Sequence, residues 1–499
     1  MKKRILALLL AACLAALTLS SCAKGAAPSA QDGTTTTAPI TEIQEDSSMF
    51  KLSYTKADSL NPFESETLNN QVLQNLVFES LFVLDESYEA QPQLASSYSY
   101  QDSTTLLVTI PSGMTFSNGD KIDADSVVDS FERAKQSPHW SNTLTAIDDA
   151  VAESQTVVRF DLAWANPMAQ NLLTFAVASR STDDNGYPIG SGRYRFGEGD
   201  GSVYLEVNEN HADFHPHIVR IPLVNIASGE SVENAINIGN IAFAYRDLST
   251  GMRTNMQCAK KAVNMNNLVY IGVNCKSGIT ADENIRRAIS LAVDRDTITK
   301  SAFRGYAKSA TSPFNPASQL GRDTALFATT ADLTAAKQAI VSSGAATEDL
   351  KIDILTSDNE SKAAAATLVQ QQLQAAGFTV TINTESAAEY QRKVSENAFN
   401  LYIGEVKLTA DMSLLPFYSE TGATAYGIDF DNSSSYSSYW GYANGSNEIG
   451  RFMLDYSKEM PFIPLVFRQG MICYSKAMHG DMQGYENNYF ANIEDWYFN

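Results

Sequence analysis

Three of the five histidines, His211, His215 and His217, fall within seven residues with Asp213 between them. Imidazoles beside a carboxylate form a donor set suited to nickel or zinc. Pro216 interrupts the group, and no helix or strand period brings the three rings to one point, so the spacing favours a solvated loop over a metal centre. Residues 433–442 read SSSYSSYWGY, a composition that suits either a sugar- or peptide-binding cleft or an exposed loop. Gly190-Ser191-Gly192 precedes Arg193-Tyr194-Arg195-Phe196, and so short a glycine turn reads as entry into a strand rather than a phosphate cradle. No HExxH, GxSxG, Walker loop or CxxC is present. The chain therefore reads as non-catalytic and without a cofactor. A secreted hydrolase using paired carboxylates stays open as an alternative, because that chemistry needs only a geometry that sequence does not reveal.

The elements that must position these residues are readable from periodicity. Residues 50–54 predict a strand, Pro62 breaks regularity, and Leu73, Leu76, Val77 and Phe78 mark a helix. Residues 105–110 alternate as a strand, Asn118-Gly119 marks a turn, and Asp123 or Asp125 caps a helix through Val127, Val128 and Phe131. Asp282 is placed to cap a helix whose Ile285, Ala288, Ile289 and Ala292 make one buried stripe. Leu350, Ile352 and Ile354 predict a strand, residues 363–376 a helix ended by Gly377, and Phe378, Val380 and Ile382 a second strand. Strand, helix and strand imply a parallel crossover. Residues 461–475 predict a strand pair, and the whole is mixed α/β in more than one lobe.

The 499 residues allow two to four domains. Acidic residues number 57 against 36 Lys plus Arg, a net charge of −21 that repels polyanions and argues against nucleic acid as a partner. Lys2, Lys3 and Arg4 precede an apolar run over residues 5–19, too short to span a bilayer and shaped as an export signal. Leu19-Ser20-Ser21-Cys22 resembles the lipobox of bacterial lipoproteins, which implies cleavage before Cys22 and acylation of its thiol. Removing residues 1–21 takes away three positive charges and no negative ones, so −21 becomes −24. Residues 23–48 are rich in Ala, Ser, Thr, Gly and Pro and read as a flexible tether. Cys258, Cys275 and Cys473 then remain, and an odd number leaves at least one free thiol. The candidate pair is Cys275 with Cys473, if their strands are adjacent.

Several segments in order resemble the family 5 extracellular solute-binding proteins, the oligopeptide, dipeptide and nickel receptors of ABC importers. They are Leu60-Asn61-Pro62-Phe63, Phe78-Glu79-Ser80-Leu81-Phe82, Gln91-Pro92-Gln93-Leu94-Ala95, residues 113–127, Gly190-Ser191-Gly192-Arg193-Tyr194, Asn274 with residues 282–296, and residues 461–464. The resemblance implies a periplasmic-binding-protein type II-like fold: two lobes joined by a two-strand hinge, in three domains. Lobe 1 would comprise domain I (49–80, 181–268 and 477–499) with domain II (81–180) inserted, and lobe 2 would be domain III (269–476). Hinge strands would fall near residues 269–274 and 468–475, bringing Cys275 and Cys473 close.

The same resemblance implies a lipid-anchored monomer that delivers peptides or similar solutes to an ABC permease. It would sit on the outer face of the cytoplasmic membrane, or in the periplasm of a two-membrane bacterium, with a nickel or metallophore receptor as the alternative. By similarity Asp411, after Ala410, would hold the ligand's α-amino group. Backbone at Glu66, Thr67 and Leu68 and at Lys407, Leu408 and Thr409 would pair with an extended peptide. Trp440 and Tyr442 are candidate pocket walls, and Arg246 is a candidate partner for a ligand carboxylate. Lys407-Leu408 replaces the Gly-Trp frequent in peptide binders, so the pocket departs from the family pattern.

Overall fold

The computed structural model describes residues 49–212, 214–227, 229–248 and 256–498. Cys22, the export segment, the tether and Asp213 lie outside the described residues. No described helix is long and apolar enough to cross a membrane.

Local signals and observed elements agree where the sequence is strongly patterned. Asp123 caps the helix Ala124–Gln136 in a reciprocal box with Ser126, satisfying N–H groups that the first turn cannot bond internally. That helix buries Val127 and Phe131. Asp282 accepts from Asn284 and Ile285 N–H groups and starts the helix Glu283–Ala292, whose Ile285, Ala288, Ile289 and Ala292 are fully buried. The strands Lys351–Ser357 and Thr379–Glu385 pair in parallel through the helix Glu360–Ala376, which stops at left-handed Gly377.

Two main cores result. The first gathers side chains from Phe50 to Val263 together with Ile472 to Phe498, and the second runs from Val269 to Val466. A parallel pair, Leu52–Tyr54 with Arg220–Asn225, extends through Ser202–Val207 to Tyr194–Gly199 in one sheet of the first half. Phe50 meets Trp496 and Phe498 at ring distances of 6.1 and 6.4 Å, so the first and last described strands share this half. Gly192 shows why the predicted glycine turn needs glycine. A Cβ there would lie 2.5 Å from the Val77 carbonyl carbon, where the turn rides on the end of the helix Leu68–Val77.

A seven-stranded sheet joins the halves through two long antiparallel strands, Ala259–Val273 and Phe462–Tyr474. The expected strand pair at 461–475 is thus a single strand. Pro464 sits inside it opposite Tyr270, where the register shifts between Val269 and Tyr270 and the missing proline N–H is accommodated. Val263 belongs to the first core and Val269 already to the second, so the outward crossing falls within 263–269, earlier than the expected 269–274. The return lies between Val466 and Ile472.

The same register separates the expected cysteine pair. Lys260 lies opposite Cys473 and Gly272 opposite Phe462, so Cys275 is at the far end of the sheet beside Pro461, roughly 35 Å along the strand from Cys473. Both thiols are free, and the cysteine next to Cys473 is Cys258.

Candidate functional site

The strand Leu401–Lys407 pairs with Ala259–Val273, and the chain leaves it in a tight turn through Thr409, Ala410 and Asp411. This turn meets the first half. Asn166 donates its side-chain amide to Asp411 Oδ2 at 2.8 Å, and Asn171 donates to the Ala410 carbonyl at 3.2 Å. Asp411 Oδ1 accepts from the Thr409 hydroxyl and from the Ser413 N–H at 3.3 Å. Asp411 is only 9 % exposed, and its partners are all neutral. Burial raises its carboxyl above the ordinary range, against the lowering effect of these hydrogen bonds. The arrangement is a desolvated carboxylate, held by neutral donors where the halves touch, without a counter-cation among the described residues.

Aromatic groups surround it. Tyr439 accepts the Leu414 N–H at 2.8 Å on its hydroxyl, and its phenol, like those of Tyr442 and Tyr100, is raised chiefly by burial and further by the Asp411 charge. Tyr442 thus stands close enough to feel the Asp411 charge, whereas Trp440 spends its indole N–H on the Tyr418 carbonyl at 2.8 Å. The serine and aromatic run is not an exposed loop. It makes a helix, Ser434–Ala443, capped by Ser433 and clasped by the Glu459 carboxylate.

Four residues before Asp411, Lys407 reaches Glu486 of the first half at 2.7 Å. The lysine is 58 % exposed and the carboxylate 7 %, so the pair lines an accessible space rather than a dry core. Glu486, foremost, holds the lysine's pKa up. Glu486 also accepts from Tyr88 Oη and the Asn266 N–H, each at 3.1 Å, while Asn266 Nδ2 donates to the Thr409 carbonyl at 2.8 Å. A polar chain thus runs from Glu486 to the Asp411 turn. A cavity of about 470 Å³ opens beside Glu486 and Tyr88, floored by Ala262, Val263 and Asn264 at the outward crossing. His139, in the first half, is pushed down to about 4 by burial, with Lys407 adding repulsion.

The other expected positions are engaged elsewhere. Glu66 and Thr67 give their N–H groups to Asp58, and Thr67 its carbonyl to Gln71, so little backbone is left there to pair with a peptide. Leu68 borders a cavity of about 50 Å³ with His139 and Trp140. Leu408 is buried in a core and gives its N–H to the Asn266 carbonyl. Arg246 is a buried partner of Glu233 at 3.3 Å. The histidines diverge: His211 faces Glu79 at 3.5 Å, His217 lies against the Tyr497 ring, and His215 is exposed. No metal-binding group is found among the described residues.

Asn166, Asn171, Tyr100 and Glu486 escaped the sequence reading. Asn166-Pro167 carries a loop signal, but nothing local indicates that the loop meets a turn 245 residues away.

The model for bacterial extracellular solute-binding proteins, family 5 Middle, matches residues 89–425. The nickel-binding protein NikA of Staphylococcus aureus (strain NCTC 8325 / PS 47) is 23 % identical over 276 residues, 52 % of this chain and 54 % of that protein. The chain therefore spans about half the length of the first curated relatives it matches. The glutathione-binding protein GsiB of Shigella flexneri serotype 5b (strain 8401) is 21 % identical over 459 residues, 85 % of this chain and 89 % of that one. Among solved structures, the ABC transporter substrate-binding protein CtaP from Listeria monocytogenes superposes with a TM-score of 0.68 at 19 % identity, covering 90 % of this chain and 99 % of that chain. The mixed α/β architecture is that of the type II periplasmic binding proteins.

Proposed function

We propose, from the premise that the chain belongs to the bacterial extracellular solute-binding proteins of family 5, that it captures amine-bearing peptides or similar small solutes and hands them unchanged to an ABC permease. One observation carries this reading: the Asp411 carboxylate is buried at the meeting of the halves without a cation among the described residues. A buried charge that lacks a counter-ion is unfavourable, and a ligand ammonium supplies one. In a dry cleft such a charge-assisted bond is stronger than in water and fixes ligand orientation. Tyr442, Tyr439 and Tyr100 wall the site, and Lys407 with Glu486 lines its approach.

In this reading residues 49–80, 181–268 and 477–499, with 81–180 inserted, face residues 269–476 across the cleft. The long strands Ala259–Val273 and Phe462–Tyr474 are the hinge. Ligand touching both halves favours the closed form, which the permease recognises. Acylated Cys22 and the tether over 23–48 hold the monomer at the cell envelope. Recognition depends more on Asp411 than on main-chain pairing at Glu66 and Thr67, whose N–H groups are taken.

Isothermal calorimetry with tri-alanine, mixed tripeptides and Ni²⁺ tests the reading. Peptide heat with no Ni²⁺ heat supports it. Tight Ni²⁺ binding abolished by His215→Ala, without peptide heat, reverses it in favour of a metal receptor. Turnover of peptide by the purified protein contradicts it altogether.

A further inference from the structure

We propose that Cys258 and Cys473 form a redox modification site, a dithiol that closes to a disulfide across the two strands joining the halves. In the antiparallel register Lys260 lies opposite Cys473, and Cys258, just before that strand begins, packs against the cluster that holds Cys473. The two thiols stand near enough for each to shift the titration of the other. Cys473 is fully buried in a small apolar cluster with Ile226, Met256 and Met471, while Cys258 packs at the edge of that cluster and is partly open to solvent.

The environments divide the two roles. The neighbouring Cys473 thiol is the main cause that brings the Cys258 thiol down to about 7, helped by the charges of Lys260 and Lys476. The same contact, with burial, pushes Cys473 upward. Cys258 is therefore the accessible thiolate and Cys473 the resolving thiol.

The reaction consumes one small-molecule disulfide as two-electron oxidant. Cys258 Sγ⁻ attacks one oxidant sulfur, the oxidant S–S bond breaks, and one thiolate leaves. Cys473 then loses its proton to solvent and attacks Cys258 Sγ, the mixed disulfide breaks, and the second thiolate leaves. Two protein thiols are oxidised, two small thiols are produced, and the protons are balanced by solvent.

The closed loop encloses residues 259–472, which contain the entire second core. The bridge would staple the outgoing strand to the returning one on the first-half side of the crossing. Because the loop is long, it strongly restricts the unfolded chain.

The test exposes the full chain to excess oxidised glutathione, alkylates remaining thiols under denaturing conditions, and maps linked peptides by mass spectrometry without reduction. The expected result is a Cys258–Cys473 link with Cys275 alkylated, and a Tm raised by about 5 °C that dithiothreitol reverses. Cys258→Ser and, separately, Cys473→Ala should each abolish link and shift. Because the buried position tolerates change less well, Cys258→Ser decides the matter if the second variant folds poorly. Stable glutathione adducts on Cys258 without the internal link, a link through Cys275, or full alkylation of all three thiols would overturn the proposal.

Discussion

Asp411→Asn separates the two things the carboxylate does, and the structure sets the size of each. Its pKa is raised by burial, so the folded state binds a proton at pH values where the unfolded chain does not. Stability therefore declines as pH rises from the ordinary carboxyl range through the raised folded value, and the penalty is fully present above it. The amide removes that penalty. Thr409 can donate to or accept from it, and Asn166 can rotate its own amide to match, so the ligand-free variant should melt no lower than the parent at pH 7. Binding behaves oppositely. Losing one charge-assisted bond in a desolvated site costs about 3 kcal/mol, or about 100-fold in Kd. Calorimetry with tri-alanine and N-acetyl-tri-alanine should show that loss for the free amine and almost none for the acetylated peptide. Equal losses for both peptides, or a variant that melts far below the parent, would refute the amine-anchor argument and return Asp411 to a structural role.

Three further outcomes follow from particular contacts. Gly192→Ala forces a Cβ to 2.5 Å from the Val77 carbonyl carbon and 2.6 Å from the Leu76 oxygen, so urea unfolding should show a loss of about 1–3 kcal/mol or more. Arg295 is buried and serves the carbonyls of Pro464, Ser290 and Ala328, joining a helix start to the returning hinge strand. Arg295→Met should cost about 2–4 kcal/mol by orphaning these acceptors, and an unchanged Tm would show that they are satisfied otherwise. In the reduced protein, iodoacetamide should modify Cys258 with a rate that climbs through about pH 7, since Cys473, Lys260 and Lys476 all favour its thiolate. Cys275, held up to about 11 by burial, should lag far behind, and indistinguishable pH profiles would contradict the assigned environments.

What was legible in the sequence was local. Caps at Asp123 and Asp282, the buried stripe through Ile285 to Ala292, and the parallel crossover around Gly377 are each fixed by neighbours within a few turns of chain. Asp411 was found only by resemblance. Its surroundings were not legible, because Asn166 and Tyr100 arrive from another domain's worth of chain and carry no periodic signal of their own. Residues 433–442 left a cleft lining and an exposed loop undecided, because their mixture of serine and aromatics masks an N-capped helix with one side buried through Ser435, Ser438 and Tyr439. The cysteine pairing failed on direction. Adjacent strands that run antiparallel place Cys275 and Cys473 at opposite ends, and Cys258, which lies before the strand rather than after it, falls beside Cys473.

Native mass spectrometry of the purified protein incubated with an equimolar tripeptide pool measures capture directly. One intact peptide with a free amino terminus should ride on each chain and come off at its original mass when the protein is unfolded. Peptides cleaved in the pool, or a chain that carries none of them at any concentration up to millimolar, would contradict a receptor that closes on its solute and leaves it unchanged.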